Sequence, residues 1–252
     1  LVLGDASMLY SQTCVCTDYL YVNDASSGSL GDGFTHKFRI NNDGSLTEVS
    51  GANGTPWLPV SVPGFDAPHG LAQDLNGYLY IGQDGGADIG KLDCDGNVLN
   101  PSFISGDAGY NFRSYNGVLY SNSLGSNEIR AYSLCDGTLL GHILLNGVGS
   151  GPFDDWGMFI NDNGTFYVTA GVADAASTNR YIWRFTPTLA DFTSHTAYTA
   201  IITQTSFPAV ISTGDNEVFG ITSDLLGNIY VVVTDWTSGA TPSEKGTWVL
   251  KF

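Results

Sequence analysis

Charged residues are scarce in this sequence, and most of those present are acidic. Only 13% of the 252 residues are charged, with nine Lys and Arg against 25 Asp and Glu and a formal net charge of −16. A surface of this kind repels phosphate backbones and anionic lipid headgroups. We therefore expect no nucleic-acid partner and no binding to anionic membranes.

Long apolar runs are missing as well. No stretch approaches the roughly 18 to 20 apolar residues that a membrane-spanning helix needs, so we expect no membrane insertion. Residues 1–4 have neither the basic flank nor the length of a signal peptide. We expect a processed product or an excised domain.

The common motifs of nucleophilic catalysis and phosphate binding are also absent. The sequence contains no Gly-x-Ser-x-Gly elbow and no glycine-rich phosphate loop. A Ser-His-Asp triad cannot be assembled from the spacing of its residues. The many glycines fall in hairpin turns, where their conformational freedom suits the backbone.

What the sequence does contain favours an all-β protein. It has 32 Gly, 13 Tyr and 13 Phe, with many Thr and Ser, a composition typical of strands joined by tight turns.

The unit from 68 to 82 recurs along the chain in degraded copies. An apolar strand leads into an Asn-Gly turn and a second strand of alternating apolar residues, which is a strong hairpin signal. In five such hairpins the third residue after the turn is a Tyr. These hairpins span residues 16–22, 75–81, 115–121, 162–168 and 225–231. Their spacing matches the blades of a β-propeller with loop insertions.

Third strands follow each hairpin, and Asp-Gly turns lead to a fourth strand in three repeats. Residues 1–6 resemble the outer strand of the second repeat, so we predict that they complete the last blade and close the ring. The predicted fold is a single domain, residues 1–252, of five four-stranded blades. Six blades, or a fragment of a longer propeller, are the alternatives.

Residues 70–82 and 220–231 resemble the NHL-repeat and SMP-30/gluconolactonase-like propellers. The resemblance covers the inner hairpins across most of the chain. It implies an architecture more than an activity, because those families include lactonases, lyases and interaction modules.

Loops on one face of a propeller surround its central channel, and polar residues are expected there. Asp24, Asn122, Asp155 and Asp235 offer the hard oxygen ligands that Ca²⁺ or Mg²⁺ prefers. The resemblance to SMP-30-like lactonases implies a divalent ion in this location, although the glutamate ligand of those enzymes has no counterpart. The alternative is that these side chains cap turns.

A structural Ca²⁺ is a second expectation, in the Asp- and Gly-rich loop between Asp84 and Asp88. His69, at the expected channel mouth, is the candidate acid or base of an enzyme, or else a turn residue. Trp57, Trp156 and Trp236 fall in loops of the same face, where they either stack on a ligand such as a sugar or fill space between blades.

Four cysteines, two Asn-Gly-Thr sequons and few lysines favour a secreted, extracellular glycoprotein. The sequons are at Asn53 and Asn163. Cys14 and Cys16 project to one strand face and seldom pair with each other, so disulfides with Cys94 and Cys135 are expected in one of three connectivities. A Cys-x-Cys metal clip, or a cytoplasmic protein with reduced thiols, remains the alternative.

Two main functions follow from these patterns. We favour a non-catalytic extracellular propeller that acts as a structural or interaction module and self-associates or binds a protein partner. The alternative is a divalent-metal-dependent enzyme of the lactonase or lyase kind, with the ion polarising a carbonyl and His69 moving a proton. A carbohydrate-binding lectin is a third function, which rests on the loop tryptophans alone.

Overall fold

Five β-sheets make up almost all of the described structure. The computed structural model describes residues 19–24, 34–50, 57, 68–83, 88–107, 109, 111–122, 127–146, 154–171, 180–201, 216–224, 226–235 and 247–252. We number the sheets as blades 1 to 5 in chain order. The described residues contain no helix long and apolar enough to cross a bilayer.

The strands follow the chain from the inside to the outside of each blade. Blade 1 contains β1 (Tyr19–Asp24), β2 (Phe34–Ile40) and β3 (Leu46–Glu48). Blade 2 contains β4 (Pro68–Gln73), β5 (Leu79–Gln83), β6 (Asp88–Leu92) and β7 (Val98–Ser105). Blade 3 contains β8 (Asn111–Tyr115), β9 (Val118–Asn122), β10 (Glu128–Ser133) and β11 (Leu139–Asn146).

The remaining elements belong to blades 4 and 5 and to a connecting segment. Blade 4 contains β12 (Asp154–Ile160), β13 (Phe166–Gly171) and β14 (Arg180–Phe185). Helix α1 (Leu189–Thr193) and strand β15 (Ala197–Thr199) come next. Blade 5 contains β16 (Asn216–Ser223), β17 (Ile229–Asp235) and β18 (Thr247–Lys251).

This arrangement confirms the predicted β-propeller. The innermost strands β4, β8, β12 and β16 adjoin one another in chain order, and the strands within each blade are antiparallel neighbours. Residues 1–6, predicted to close the ring, lie outside the described residues.

The hairpin turns have the geometry that their glycines permit. Asn116 and Gly117 form a two-residue turn with φ of 49° and 79°, and the flanking Tyr115 and Val118 pair directly. This matches a type I′ turn, whose twist suits the strands it joins.

Blade 4 departs from the four-stranded expectation. After β14 the chain forms residues 189–199, here called the strap, which crosses to the neighbouring blade. Strand β15 pairs in parallel with β11 and becomes a fifth strand of blade 3. The strap is anchored by Phe192, which is fully buried between blades 3 and 4.

The core is divided into four clusters, one between each pair of consecutive blades. Alternation along the inner hairpins produces this division, because successive side chains point to opposite faces of a sheet. In blades 1 to 4 the repeated Tyr packs towards the next blade, and in blades 2 to 5 the apolar residues beside it pack towards the previous one.

Candidate functional site

The aspartates of the inner hairpins hold their own turns together. Asp74 accepts hydrogen bonds through Oδ1 from the backbone N–H groups of Asn76 and Tyr78, at 2.9 and 3.0 Å. Its Oδ2 accepts the hydroxyl of Tyr80 at 3.1 Å. Burial, then the nearby Asp74 charge, raises the pKa of Tyr80 well above its usual value, so this hydroxyl stays a donor.

Blade 5 repeats this arrangement. Asp224 accepts the backbone N–H groups of Leu226 and Asn228, both at 2.9 Å, and the hydroxyl of Tyr230 at 3.1 Å. The side-chain hydrogen bond from Asn228 is the main cause that lowers the pKa of Asp224. Equivalent turn bonds are made by Asp43, Asp93, Asp136 and Asn161. These side chains therefore cap the turns in which they stand.

Most of the predicted metal ligands lie outside the described residues or have side chains outside them. The side chains of Asp24, Asp155 and Asp235 are outside the described part of the chain, as is the whole of Asp84. Asp88 accepts the backbone N–H of Gly106 at 3.2 Å. Asn122 is fully buried at the C-terminal end of β9. Among the residues that the structure describes, no three His, Cys, Asp or Glu side chains are grouped to hold a metal.

The Arg113 guanidinium contacts the cross-strand partner of Asn122. Asn122 pairs across the hairpin with Asn111, whose Oδ1 accepts a hydrogen bond from Arg113 Nη1 at 3.3 Å. A fixed positive charge at this position opposes a cation at Asn122 and favours an anion.

Asp107 is a buried carboxylate that the sequence patterns did not single out. It is 1% exposed, and its oxygens accept the hydroxyls of Tyr132 at 2.8 Å and Ser121 at 3.3 Å, and the N–H of Gly109 at 3.0 Å. Arg130 lies 3.7 Å from it. This closed network fixes the connection between blades 2 and 3, and it leaves Asp107 inaccessible to a substrate.

Cations paired with tyrosine form a second repeated feature. In four blades the third-strand residue opposite the repeated Tyr is Lys or Arg, with its charge 5.5 to 5.8 Å from the ring centroid. The pairs are Tyr21 with Lys37, Tyr80 with Lys91, Tyr167 with Arg184 and Tyr230 with Lys251. Such cation–π contacts stabilise a blade by about 0.5 to 2 kcal/mol each.

Blade 3 is the exception to this pairing. Tyr120 lies opposite Ala131, and the ring of Phe192 from the strap is 5.3 Å from the Tyr120 ring. Alanine opposite the tyrosine leaves room for the strap.

Comparison with known proteins supports the fold and goes no further. No family model matches the sequence, and no curated protein matches it either. A protein from Lactobacillus plantarum aligns with a TM-score of 0.52 at 13% identity, over 92% of this chain and 81% of that one. Hydrazine synthase from Kuenenia stuttgartiensis aligns with a TM-score of 0.51 at 11% identity, over 88% of this chain.

This chain is a β-propeller. It spans 59% of the length of the hydrazine synthase chain. A virginiamycin B lyase from Staphylococcus aureus aligns less well, with a TM-score of 0.45 at 12% identity, over 91% of this chain and 68% of that one. At such identities the likenesses show the fold alone.

Trp57 does not line a binding face of the propeller, which corrects that expectation. Its side chain is 1% exposed and packs between blades 1 and 2, with its ring 5.2 Å from that of Tyr21. Lys37 Nζ lies 5.6 Å from the Trp57 ring and donates to the Cys94 carbonyl at 2.7 Å. Trp57 fills space between blades, the alternative that its sequence position left open.

The side chains of His69 and Trp156 lie outside the described residues, and so does Trp236. The cysteines are partly placed: Cys94 is buried and disulfide-bonded, and Cys135 is an exposed free thiol. The free Cys135 contradicts the expectation that it forms a disulfide. Cys14 and Cys16 lie outside the described residues, so the partner of Cys94 stays a prediction.

The hairpin carboxylates lead to a stability prediction. We expect Asp74→Ala to lower the free energy of unfolding by about 1 to 3 kcal/mol, because the buried Tyr80 hydroxyl loses its acceptor. Urea unfolding of Asp74→Ala, Tyr80→Phe and the double variant measures the coupling between them. Asp43→Ala is the control, since its carboxylate bonds only to exposed Ser45. Additive losses would contradict the assigned role.

Proposed function

We propose that this chain is a non-catalytic, extracellular propeller that acts as a structural or interaction module and associates with further copies of itself. The observation that carries the proposal is an uncovered apolar face on blade 1. A further support is that carboxylates such as Asp74, Asp107 and Asp224, among the described residues, are engaged in turns and a buried network.

The apolar face belongs to β1 and β2. Leu20 and Val22 are 41% and 40% exposed. Ile40 pairs across the sheet with Leu46 of β3, which is 50% exposed and extends the apolar face. The opposite side of the same sheet carries Lys37, which is buried against blade 2.

Equivalent positions in other blades are sealed. The residues that flank the repeated Tyr are at most 6% exposed in blades 2, 4 and 5, namely Leu79, Ile81, Phe166, Val168, Ile229 and Val231. Leu20 and Val22 are therefore apolar, like the residues at the other blade interfaces, but they are not buried. Exposed apolar surface of this kind marks an interaction site.

Blade 5 carries a face suited to this surface. Val249 is 67% exposed, and Lys251 lies on the same side with Tyr230 and Val232. Blade 1 contributes exposed Glu48 beside its apolar residues. Contact between the blade 5 face of one copy and the blade 1 face of the next buries both and brings opposite charges together.

An extracellular location is supported by the second sequon. Asn163 is exposed in the turn after β12, and its Oδ1 accepts the Thr165 hydroxyl at 2.7 Å. This position is accessible for glycan attachment to the side-chain nitrogen.

Native mass spectrometry and sedimentation velocity, each with and without chelator, test the proposal. We expect the wild type to form oligomers that are indifferent to chelator. Ile40→Lys should shift the population to monomer, because it places a charge in the apolar face. Leu99→Lys is the matched control, since Leu99 is 51% exposed on the outer strand of blade 2.

Two outcomes would contradict the proposal. A wild-type monomer at all concentrations would mean that the two faces meet within one chain. A monomer that loses one ion to the chelator would favour the metal-dependent enzyme instead.

A further inference from the structure

Arg113 occupies an unusual position on the inner wall of blade 3. It lies on β8, the innermost strand, which is flanked by β4 and β12. Tyr115, on the same side of β8, donates its hydroxyl to the Asp162 carbonyl of blade 4. Arg113 therefore faces blade 4 at the inner edge of the propeller, and it is half-buried rather than sealed.

No acidic side chain among the described residues neutralises the charge of Arg113. Among the described residues, the other shielded cations contact an acid or aromatic rings: Arg130 pairs with Glu128 at 2.5 Å, and Lys37 and Lys91 lie over rings. Arg113 has no such partner in the described part of the chain. A shielded charge without a partner is costly to the fold, which makes its retention in so acidic a protein informative.

The hydrogen bonds of Arg113 leave one side of its guanidinium open. Both bonds use Nη1, which donates to Asn111 Oδ1 at 3.3 Å and to the Phe112 carbonyl at 2.8 Å. Both acceptors belong to its own strand, so Arg113 does not join two blades as Lys37 does. The edge formed by Nε and Nη2 makes no hydrogen bond within the described residues.

We propose that Arg113 anchors a binding site for a small carboxylate at the inner edge of blade 3. The edge formed by Nε and Nη2 presents two parallel N–H groups, which match the two oxygens of a carboxylate. The bonds from Nη1 to Asn111 and Phe112 hold the guanidinium in place before the ligand arrives. Burial also lowers the pKa of Arg113, as expected where no anion offsets the loss of hydration.

The balance of charge favours a carboxylate over a phosphate. One guanidinium neutralises a singly charged carboxylate, whereas a doubly charged phosphate would keep an excess negative charge inside a protein of net charge −16. This site is independent of the proposed blade 1 contact face, because Arg113 is on blade 3.

Ligand-observed NMR with acetate tests the site. We expect saturation transfer from the wild-type protein to the acetate methyl group, and at least a tenfold loss of affinity in Arg113→Met. Arg113→Lys should also bind weakly, because it keeps the charge and loses the planar fork. Arg184→Met is the control, since Arg184 is an exposed arginine on the third strand of blade 4.

Each outcome decides the proposal. Acetate binding that depends on Arg113 and resists competition by equimolar phosphate supports a carboxylate site. Preferential displacement by phosphate would overturn the ligand class. No transfer to acetate in the wild type, or equal transfer in Arg113→Met, would overturn the site. If Arg113→Met does not fold, the acetate affinity of the wild type is compared with that of Arg113→Lys. Equal affinities would contradict the proposed bidentate contact from the guanidinium.

Discussion

Replacing Gly70 with alanine should lower the free energy of unfolding by about 3 kcal/mol or more. A Cβ at this position would lie 2.5 Å from the carbonyl oxygen of Gly109 and would overlap the ring of Phe112. Phe112 is fully buried between blades 2 and 3, so its ring cannot swing away into solvent. Overpacking against a backbone atom is relieved only by separating the two blades.

Gly220 supplies a matched control, because it occupies the same position of the repeat in blade 5. Among the described residues, a Cβ there would meet only the Val232 side chain, at 3.7 Å, which is ordinary contact. Urea unfolding should therefore show a large loss for Gly70→Ala and a small one for Gly220→Ala. Equal losses would mean that the blade 2 contact is not the cause.

The propeller could be predicted from the sequence because short-range patterns of residues specify its hairpins. A Tyr third after the turn recurs in all five hairpins and a turn glycine in four of them, and each of these signals acts within about ten residues of chain. Asp74 and Asp224 bond to backbone groups of their own hairpin turns, a contact that short spacing alone can indicate. The Lys or Arg opposite the Tyr was detectable in the same way, by aligning the third strands, and was missed.

The strap and Trp57 could not be predicted by this reasoning. Strand β15 pairs with β11, about 50 residues earlier in the chain, and a three-residue parallel strand has no recognisable pattern. Trp57 stands in a loop, where periodicity says nothing about burial. Arg113 was visible as a residue, but its lack of a partner depends on three-dimensional neighbours.

The contacts that join consecutive blades differ from one pair of blades to the next. Blades 1 and 2 are joined by Trp57 and by the bond from Lys37 to the Cys94 carbonyl. Blades 2 and 3 meet at Gly70 and at the Asp107 network, whereas blades 3 and 4 are bridged by the strap. Because each link uses different residues, substitutions should weaken one blade interface at a time.

The strap is anchored by a single aromatic side chain, that of Phe192. Phe192 is fully buried, with its ring 5.3 Å from the Tyr120 ring and 6.5 Å from the Phe166 ring. Its carbonyl oxygen lies so close to Gly141 that any side chain at position 141 would collide with it. We expect Phe192→Ala to lower the free energy of unfolding by about 3 to 5 kcal/mol, through lost burial and the cavity that remains.

Leu189 provides the control for this prediction, because it lies in the same helix and is 53% exposed. Leu189→Ala should change the unfolding free energy by less than about 0.5 kcal/mol. Hydrogen exchange adds a second measurement: Phe192→Ala should deprotect the amide of Leu144, which donates to the Thr196 carbonyl, before the core of blade 2. Uniform loss of protection in all blades would show instead that the strap is part of one global unit, and the idea of separate links between blades would then be wrong.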